Sequence, residues 1–311
     1  MKWRNKARIA KAISKLPDPL SQRAYYAIQR RFGNLKSAFP GHHLKAAFTI
    51  CTLIEQHQPT CNWSGPFLEV GTGRRLTLPL GLWLCGANAI TTVDLNRYLK
   101  PDLVFEDLDY FREHRAEVLS MFGRRSESNQ FQQRFGALLN LRRDLAELLA
   151  LTNIKYLAPA DASELDLPAQ SIDYHISFGV IEHISQEFLA PIIREASRIL
   201  KPGGLAIHYA TLADLFSSVD PTISPVNFLQ FSEREWHAIA GNRYMYHNRL
   251  RADELRHLFE HNGFNILDFS ARVNPASLRV LQNSSFVLDS RFSQKTAEIN
   301  ASEHVWITAS V

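Results

Sequence analysis

The stretch FLEVGTGRR, residues 67–75, combines a carboxylate with two glycines where an apolar run ends. Glu69 lies inside that run, and Gly71 and Gly73 follow it. A charge near the end of a strand costs free energy unless it has a partner. A dinucleotide-binding turn needs a third glycine, and Leu76 stands in its place. The stretch therefore predicts either a glycine turn with a capped glutamate or a nucleotide-binding turn whose ligand carries positive charge.

Carboxylates also follow the next two apolar segments. Asp94 ends the second segment in TTVDLN, where an acid can accept hydrogen bonds from both hydroxyls of a ribose. Asp161 follows the third segment in PADASELDLP and is placed to meet the amino group of an adenine. Both positions favour a ligand that contains a nucleoside.

Three residues have side chains that could act as general bases. Glu182 and His183 follow the fourth apolar segment, and His208 lies inside the fifth. His183 is interpreted either as a base or as a structural histidine, whereas His208 is expected in the core. No group of His, Asp and Glu has the spacing of a metal site, so no metal is predicted.

The elements that position these residues alternate between strands and helices from residue 65 onward. Strands are predicted at residues 65–70, 89–94, 153–158, 171–178, 204–210, 264–269 and 305–309. Helices are predicted at residues 22–31, 43–57, 76–84, 186–200 and 252–262, after a first helix that Pro17 ends. This alternation predicts an α/β fold with a parallel, doubly wound sheet that binds its ligand at the carboxyl ends of the strands.

The connection after the second strand, residues 100–152, is unusually long for such a fold. Leucines recur at helical spacing from Leu138 to Leu149, and no strand pattern is present. The connection is therefore predicted to be a helical insertion. Because it leaves the sheet at the ligand edge, residues 105–150 are expected to form either a stabilising annex or a lid over the ligand.

Taken in order, these motifs resemble those of class I, Rossmann-like methyltransferases that depend on S-adenosylmethionine. The resemblance covers roughly residues 65–270, and it is to the type associated with small-molecule or bacterial glycan modification. It rests on E-x-G-x-G at residues 69–73, Asp94, DASELDLP from Asp161, GVIEH at 179–183, LKPGG at 200–204 and NRLRADELRHLFEHNGFNI at 248–266. The resemblance implies a seven-stranded sheet and S-adenosylmethionine as the cofactor.

The resemblance also implies which residues form the site. Glu69 is expected near the positively charged methionine end of the cofactor, Asp94 at the ribose and Asp161 at the adenine. The implied cofactor-binding residues are Glu69, Gly71, Thr72, Gly73, Asp94, Leu95, Asp161, Ala162, Phe178 and Gly179. His183 and Glu182 are the catalytic candidates.

The predicted reaction is methyl transfer to a small-molecule or glycan acceptor, with a hydroxyl as the expected acceptor group. The alternatives are a non-catalytic S-adenosylmethionine-binding protein and a dinucleotide-dependent oxidoreductase, which the missing third glycine disfavours. Large rings recur in residues 211–249, part of them expected in the core and part as a stacking wall for the acceptor. Arg243, His247 and Arg249 are expected to add positive charge there.

The N-terminal arm differs in charge from the rest of the chain. Residues 1–36 carry ten Lys and Arg residues and one acid, a net charge of +9, whereas the whole chain has +4. Ile9, Ile13, Leu16 and Leu20 have helical spacing. Residues 1–60 are predicted to be a basic helical arm, and residues 61–311 the methyltransferase domain.

The arm is interpreted as a solvated face packed on the domain, as a contact with an anionic membrane through residues 1–36, or as an RNA-binding segment. Because the remainder is acidic, nucleic acid is the least favoured partner. Cys51, Cys61 and Cys85 are few and unpaired in pattern, and no membrane span or signal peptide is evident. These features predict a soluble cytoplasmic protein.

Overall fold

Seven strands form one sheet in this computed structural model, which describes residues 1–38 and 40–311. Numbered along the chain, they are β1 Pro66–Val70, β2 Ala89–Val93, β3 Ile154–Leu157, β4 Ile172–Phe178, β5 Leu200–Thr211, β6 Asn265–Val273 and β7 Ser302–Ser310. Their order across the sheet is β3-β2-β1-β4-β5-β7-β6. The predicted α/β class and the seven-stranded Rossmann-like sheet are therefore confirmed.

The alternation of elements predicted a parallel sheet, but the sheet is mixed. β7 runs antiparallel to both β5 and β6, while the other neighbours pair in parallel. The segment between β6 and β7 returns to the end of the sheet that it left, because Asn274 N donates to Ala301 O at 2.9 Å. A connection that returns at the same end gives an antiparallel pair.

Helices cover both faces of the sheet. In chain order they are α1 Trp3–Ser14, α2 Leu20–Phe32, α3 Gly41–His57, α4 Thr77–Cys85, α5 Pro101–Glu113, α6 Arg115–Met121, α7 Asn129–Asn140, α8 Leu145–Thr152, α9 Gln186–Ile199, α10 Glu233–Ala240, α11 Ala252–His261, α12 Pro275–Leu281, α13 Ser290–Ser293 and α14 Ala297–Ala301. None of the helices within the described residues has the length and hydropathy needed to cross a membrane.

Each face of the sheet has its own apolar core. On one face, Leu44 and Ile50 of α3 pack with Phe67 of β1 and with α4. On the other face, Leu189 of α9 and Leu255 of α11 pack over β4 and β5. α3, which was predicted as part of the arm, belongs to the first core, and the boundary at residue 60 stays a prediction.

The insertion after β2 is helical, as predicted, and it consists of α5 to α8. Phe111, Phe122, Phe131 and Phe135 are fully buried and contact one another. They belong to the same core as α3 and α4. The packing therefore supports the annex interpretation, and the lid interpretation is not supported, because the insertion's large rings lie under its own helices.

The arm packs on the segment between β5 and α11. Trp3, Ala7 and Ala10 of α1 are buried against rings that include Phe216 and Trp236. Of the four apolar residues with helical spacing, Ile13 is buried, whereas Ile9, Leu16 and Leu20 are exposed. Two alanines in the buried row allow α1 to approach closely, which a search for large apolar residues does not detect.

Candidate functional site

The turn between β1 and α4 contains two glycines in the left-handed backbone region. Gly71 has a φ of +92° and Gly73 a φ of +64°. A Cβ on Gly71 would run into the side chain of Val180, which lies in the loop after β4. A Cβ on Gly73 would meet no atom within 4 Å. The first glycine therefore lets two loops touch, and the second borders open space.

Glu69 is buried beneath this turn and belongs to a hydroxyl network. The Thr92 hydroxyl of β2 donates to the Glu69 carboxylate, and Thr72 Oγ1 lies 2.5 Å from Thr92 Oγ1. Burial raises the pKa of Glu69 to about 8, although the hydrogen bond from Thr92 acts in the opposite direction. A cation bound at the turn would favour the ionised carboxylate, so the network suits a positively charged ligand group.

Asp94, directly after β2, is fixed by two backbone amides. Gly73 N donates to its Oδ2 at 2.9 Å, and Asn96 N donates to its Oδ1 at 3.1 Å. Partial burial raises the pKa of Asp94 above its ordinary value in spite of these hydrogen bonds. The carboxylate is half-buried, and its remaining lone pairs can accept hydrogen bonds from a ribose.

The loop after β3 is tied to the same place. Ala160 N donates to the backbone oxygen of Asp94 at 2.9 Å. The amide and hydroxyl of Ser163 donate to Asp161 Oδ1, which lowers the pKa of the exposed Asp161 below its ordinary value. Ala162 is buried, whereas Leu95 is 65% exposed. Asp161 thus offers an ionised acceptor and Leu95 an apolar surface at one edge of the sheet.

These residues fit S-adenosylmethionine. The carboxylates of Asp94 and Asp161 suit a ribose and an adenine amino group, and the space beside Gly73 admits a ligand. The buried Glu69 network suits the positive charge of a sulfonium. The structure brings all of them to the carboxyl ends of β1, β2 and β3, where parallel α/β sheets bind ligands.

Phe178 ends β4 within a row of rings along the same edge of the sheet. Its centroid lies 4.6 Å from Tyr209, 6.0 Å from Trp306 and 5.3 Å from His43. Gly179 follows with a φ of +69°. His43 is exposed, but desolvation by the surrounding protein lowers its pKa to about 4. The row presents apolar ring surface beside a neutral imidazole.

The sequence analysis missed three members of this row. His43 comes from α3, Tyr209 from β5 and Trp306 from β7, and they share no local motif. The one available signal was the position of Tyr209 and Trp306 on predicted strands close to the ligand edge. Rings in residues 211–249 were predicted in part as core and in part as an acceptor wall. Phe216, Phe228 and Trp236 are buried in a core with α1, and the wall formed by the remaining rings stays a prediction.

His183 lies in the loop after β4 with one ring nitrogen engaged. Its Nδ1 is 2.9 Å from the backbone oxygen of Tyr246. Because a carbonyl oxygen can only accept, Nδ1 carries the proton and Nε2 keeps its lone pair. The imidazole as a whole is exposed to solvent. His183 therefore has the geometry of a proton acceptor.

Glu182 does not have that geometry. Its side chain is buried, and Thr211 N donates to its Oε1 at 3.1 Å. Asn248 N donates to its backbone oxygen at 2.9 Å. Burial raises the pKa of Glu182 above its ordinary value. Glu182 thus joins the loop after β4 to the end of β5, and its catalytic role stays a prediction.

The three cationic candidates in residues 243–249 are already occupied. Arg243 pairs with Asp18 at 2.5 Å, and the buried Arg249 pairs with Glu233 at 2.7 Å. His247 Nε2 donates to Thr211 O at 3.2 Å and its Nδ1 accepts from Arg249 N at 3.0 Å, while burial lowers its pKa. Their prediction as contacts for a substrate anion is wrong, since each holds a loop in place.

His208 is buried as predicted, with Nδ1 2.7 Å from Ser177 Oγ.

Two consecutive arginines at the end of the turn reach different helical additions. Arg75 donates to Leu103 O at 2.8 Å and pairs with the buried Asp107, both on α5 of the insertion. The Arg74 guanidinium lies 5.8 Å from the ring centroid of Tyr25 on α2 and 5.5 Å from that of Tyr98. The turn therefore contacts the insertion through one arginine and the arm through the next.

The arm spans from the insertion to the loop before α11. On one side, Tyr26 donates to Asp102 at 2.6 Å and Arg30 pairs with Glu106 at 2.6 Å. On the other side, Tyr25 stacks on Tyr244 at a centroid distance of 3.9 Å. Since Arg74 directly follows the glycine turn and lies near Tyr25, α2 passes close to this turn.

Comparison with known protein families identifies a domain in the chain. A family model described as a methyltransferase domain matches residues 41–268. A search of curated protein sequences found no match.

Many solved structures resemble the chain. The [4+2]-cyclase SpnF is 14% identical, with 85% of this chain and 80% of that chain covered and a TM-score of 0.43. Geranyl diphosphate C-methyltransferase from Streptomyces coelicolor A3(2) is 13% identical, with 84% and 76% covered and a TM-score of 0.44. The PH0226 protein from Pyrococcus horikoshii OT3 is 14% identical, with 92% and 98% covered and a TM-score of 0.46.

Proposed function

The chain belongs to the methyltransferase-domain family and is an S-adenosylmethionine-dependent enzyme, and from this premise we propose that it methylates a hydroxyl group of a small-molecule or glycan acceptor. The observation that carries the choice of a hydroxyl is the His183 imidazole. Its Nδ1–H is held by Tyr246 O, which leaves Nε2 of the exposed imidazole as a proton acceptor. A hydroxyl acceptor needs such a base, because its proton must leave as the new bond forms.

The residues of the chain have separate tasks in this proposal. Asp94 and Asp161 hold the nucleoside part of the cofactor, and the network from Glu69 to Thr72 lies at its charged end. The cofactor supplies an electrophilic methyl group bound to a sulfonium. His183 Nε2 takes the proton of the acceptor hydroxyl. Glu182 positions the loop that carries His183.

The acceptor is proposed to bind against the rings of Phe178, Tyr209 and Trp306. Flat aromatic faces bind planar ligands and the apolar faces of sugars, and the half-buried rings have surface available. Holding two reactants at reacting distance contributes about 7–11 kcal/mol to catalysis. Positioning is therefore the larger part of the proposed rate enhancement, and proton removal the smaller.

The reaction class is tested by calorimetry with S-adenosylmethionine, S-adenosylhomocysteine and NAD, followed by labelling of extracts. The adenosyl ligands are expected to bind and the label to appear on an oxygen, identified by mass spectrometry and NMR of the product. Preferential NAD binding would contradict the methyl-transfer assignment. Label on nitrogen or carbon would contradict the hydroxyl, and binding without any transfer would indicate a non-catalytic binding protein.

The role of His183 is tested by His183→Gln, with His257→Gln as a control on the exposed side of α11. Turnover of the His183 variant is expected to fall by about 10²–10⁴, with S-adenosylhomocysteine affinity retained. The deficit should shrink as pH rises, because hydroxide replaces the base. Wild-type turnover together with a lower melting temperature would make His183 structural.

The proposed place of this reaction is the cytoplasm. Cys51, Cys61 and Cys85 are all free thiols, and sparse free cysteines are typical of a reducing compartment. Fractionation of the source cells, with detection of the full chain by an antibody, is expected to recover it with cytoplasmic markers.

A further inference from the structure

The hairpin formed by α1 and α2 exposes a concentration of large apolar side chains. Twelve such residues are exposed in the described part of the chain, and five of them fall within the first 32 residues. These five are Met1, Ile9, Leu16, Leu20 and Phe32, which are 67%, 45%, 41%, 56% and 77% exposed. Single exposed leucines are common on protein surfaces and need no explanation. Their accumulation on one short hairpin does, because it marks a surface suited to contact.

The same hairpin carries positive charge that the protein does not neutralise. Among the ten basic residues of positions 1–36, Arg30 is the member that forms an ion pair with a carboxylate in the described residues. Lys2 donates to Thr222 Oγ1 and Lys11 to Ala238 O, both neutral groups. Arg8 and Lys15 are exposed without an acidic partner in the part of the chain that the structure describes. The hairpin therefore presents a cationic surface to solvent.

Charge and apolar surface occupy neighbouring sectors of α1. At 100° per residue, the exposed Arg4, Arg8 and Lys11 form one sector, and the exposed Lys15 directly follows the helix. Ile9 and Ala12 form the sector beside it, Leu16 lies just after the helix, and the buried row that includes Trp3 lies on another face. A helix with a basic sector beside an apolar one is typical of segments that lie in a membrane interface.

We propose that the outer face of the α1–α2 hairpin docks on an anionic lipid bilayer. The lysines and arginines contact headgroup phosphates, and Ile9, Leu16 and Leu20 enter the boundary between headgroups and acyl chains. Charge complementarity favours this occupant over a second copy of the chain, whose hairpin would carry the same positive charge. The inference does not depend on which acceptor the enzyme methylates.

Docking would leave the inner face of the hairpin unchanged. Tyr25, Tyr26 and Arg30 of α2 point to the domain, where they contact Tyr244, Asp102 and Glu106. The residues that hold the arm on the domain are therefore distinct from those that would touch lipid. This separation allows the lipid-facing residues to be changed without unfolding the arm.

The test is sedimentation of the full-length chain with two kinds of vesicle. One is phosphatidylcholine alone, and the other contains about one-third phosphatidylglycerol. Two arm variants are compared, Arg4→Gln/Arg8→Gln/Lys15→Gln and Ile9→Ser/Leu16→Ser. Their matched controls, on residues equally exposed elsewhere, are Arg124→Gln/Arg142→Gln/Lys155→Gln and Leu151→Ser/Leu157→Ser. Circular dichroism and S-adenosylhomocysteine binding establish that each variant is folded.

The wild type and both controls are expected to bind anionic vesicles and to leave neutral ones in the supernatant. Removing three arm charges should weaken binding on the order of 100-fold, from roughly tenfold or less per charge near an anionic surface. High salt should release the wild type. Absence of wild-type binding, or equal loss in the controls, would overturn the proposal. So would binding of single-stranded RNA in preference to vesicles, or arm-dependent dimers in solution.

Discussion

The N-terminal arm and the insertion after β2 are both helical additions to one sheet, yet they meet the ligand edge in opposite ways. The insertion leaves the sheet at that edge but buries its five phenylalanines in the core of α3 and α4. The arm begins far from the motif in sequence but places Tyr25 over Arg74, next to the glycine turn. The point at which a segment leaves the sheet therefore does not determine whether it covers the site.

The difference depends on side chains more than on connection length. A segment rich in large apolar residues gains stability by burying them, so it packs wherever a core is available. The arm has fewer such residues to bury, and α2 contacts the insertion and the loop before α11 through tyrosines, an arginine and hydrogen bonds instead. Such contacts contribute less free energy each, and segments of low local stability are the ones that open for ligands.

The comparison predicts its largest effect for Phe135→Ala in the insertion. Phe135 is fully buried between Phe111 and Phe131, so truncation leaves a cavity that costs about 3–5 kcal/mol. Urea unfolding should show this loss, while the affinity of the folded fraction for S-adenosylhomocysteine stays at the wild-type value. A surface substitution usually changes stability by less than about 1 kcal/mol. A destabilisation that small, together with weaker ligand binding, would restore the lid interpretation.

The second prediction concerns Arg75→Gln, which removes the cation from the buried Asp107. Breaking a buried ion pair costs about 3–5 kcal/mol when the remaining charge stays ionised. Burial already raises the pKa of Asp107 to about 6, although Arg75 and Thr77 oppose the shift, and without Arg75 it rises further. Above its pKa the unpaired carboxylate is charged, and below it the carboxyl is neutral.

The sign of the pH dependence follows from proton binding. An unfolded Asp has a pKa near ~3.9, so between that value and about 6 the folded state holds more protons than the unfolded state. Stability from this group therefore falls as pH rises through the window. Urea unfolding at pH 5 and pH 8 (about one unit below and two above the folded pKa) should show a larger deficit of the variant at the higher pH. An equal deficit at both would show that Arg75 acts by packing alone.

Local motifs predicted where the candidate cofactor residues lie in the fold, because these residues follow strand ends in order, and their binding role stays a prediction. Glu69, Gly73 and Asp94 are joined by short-range turns and by one pair of neighbouring strands. The acceptor side was not predictable in this way, because His43 and Trp306 reach Phe178 only once α3 and β7 have taken their places. Long-range packing leaves no pattern in a local stretch of sequence.

The same limit applied to the two additions. The sequence predicted that the insertion is helical and that the arm is amphipathic, since both depend on local periodicity. It did not predict that α1 would bury the row containing Ala7 and Ala10, because small residues carry little apolar signal. The antiparallel β7 was also missed, since strand direction is decided where the chain returns.

The third prediction tests the arm at the turn. Tyr25→Ala removes the stack on Tyr244 and the ring beside Arg74, contacts worth about 0.5–2 kcal/mol each. Affinity for S-adenosylhomocysteine should fall roughly tenfold, with the free energy of unfolding of the domain changed by less than about 1 kcal/mol. Phe32→Ala, an exposed ring on the same helix, is the control. Unchanged affinity in the Tyr25 variant would mean that the arm does not cover the cofactor.

The smallest predicted effect lies where the two additions touch each other. Arg30 and Glu106 form a two-pronged pair at 2.6 Å and 2.9 Å between α2 and α5, and both side chains are about one-third exposed. Solvent screens such a pair, so a double-mutant cycle with Arg30→Gln and Glu106→Gln should give a coupling of about 0.5–1 kcal/mol, decreasing with salt. Because the insertion is fixed in the core, the loss should appear as faster proteolysis of the arm.

The Arg125–Glu55 pair, at 2.5 Å between the insertion and α3, is the matched control, since its removal leaves the arm's contacts in place. Equal acceleration of arm cleavage by both pairs would mean that the insertion does not anchor the arm specifically.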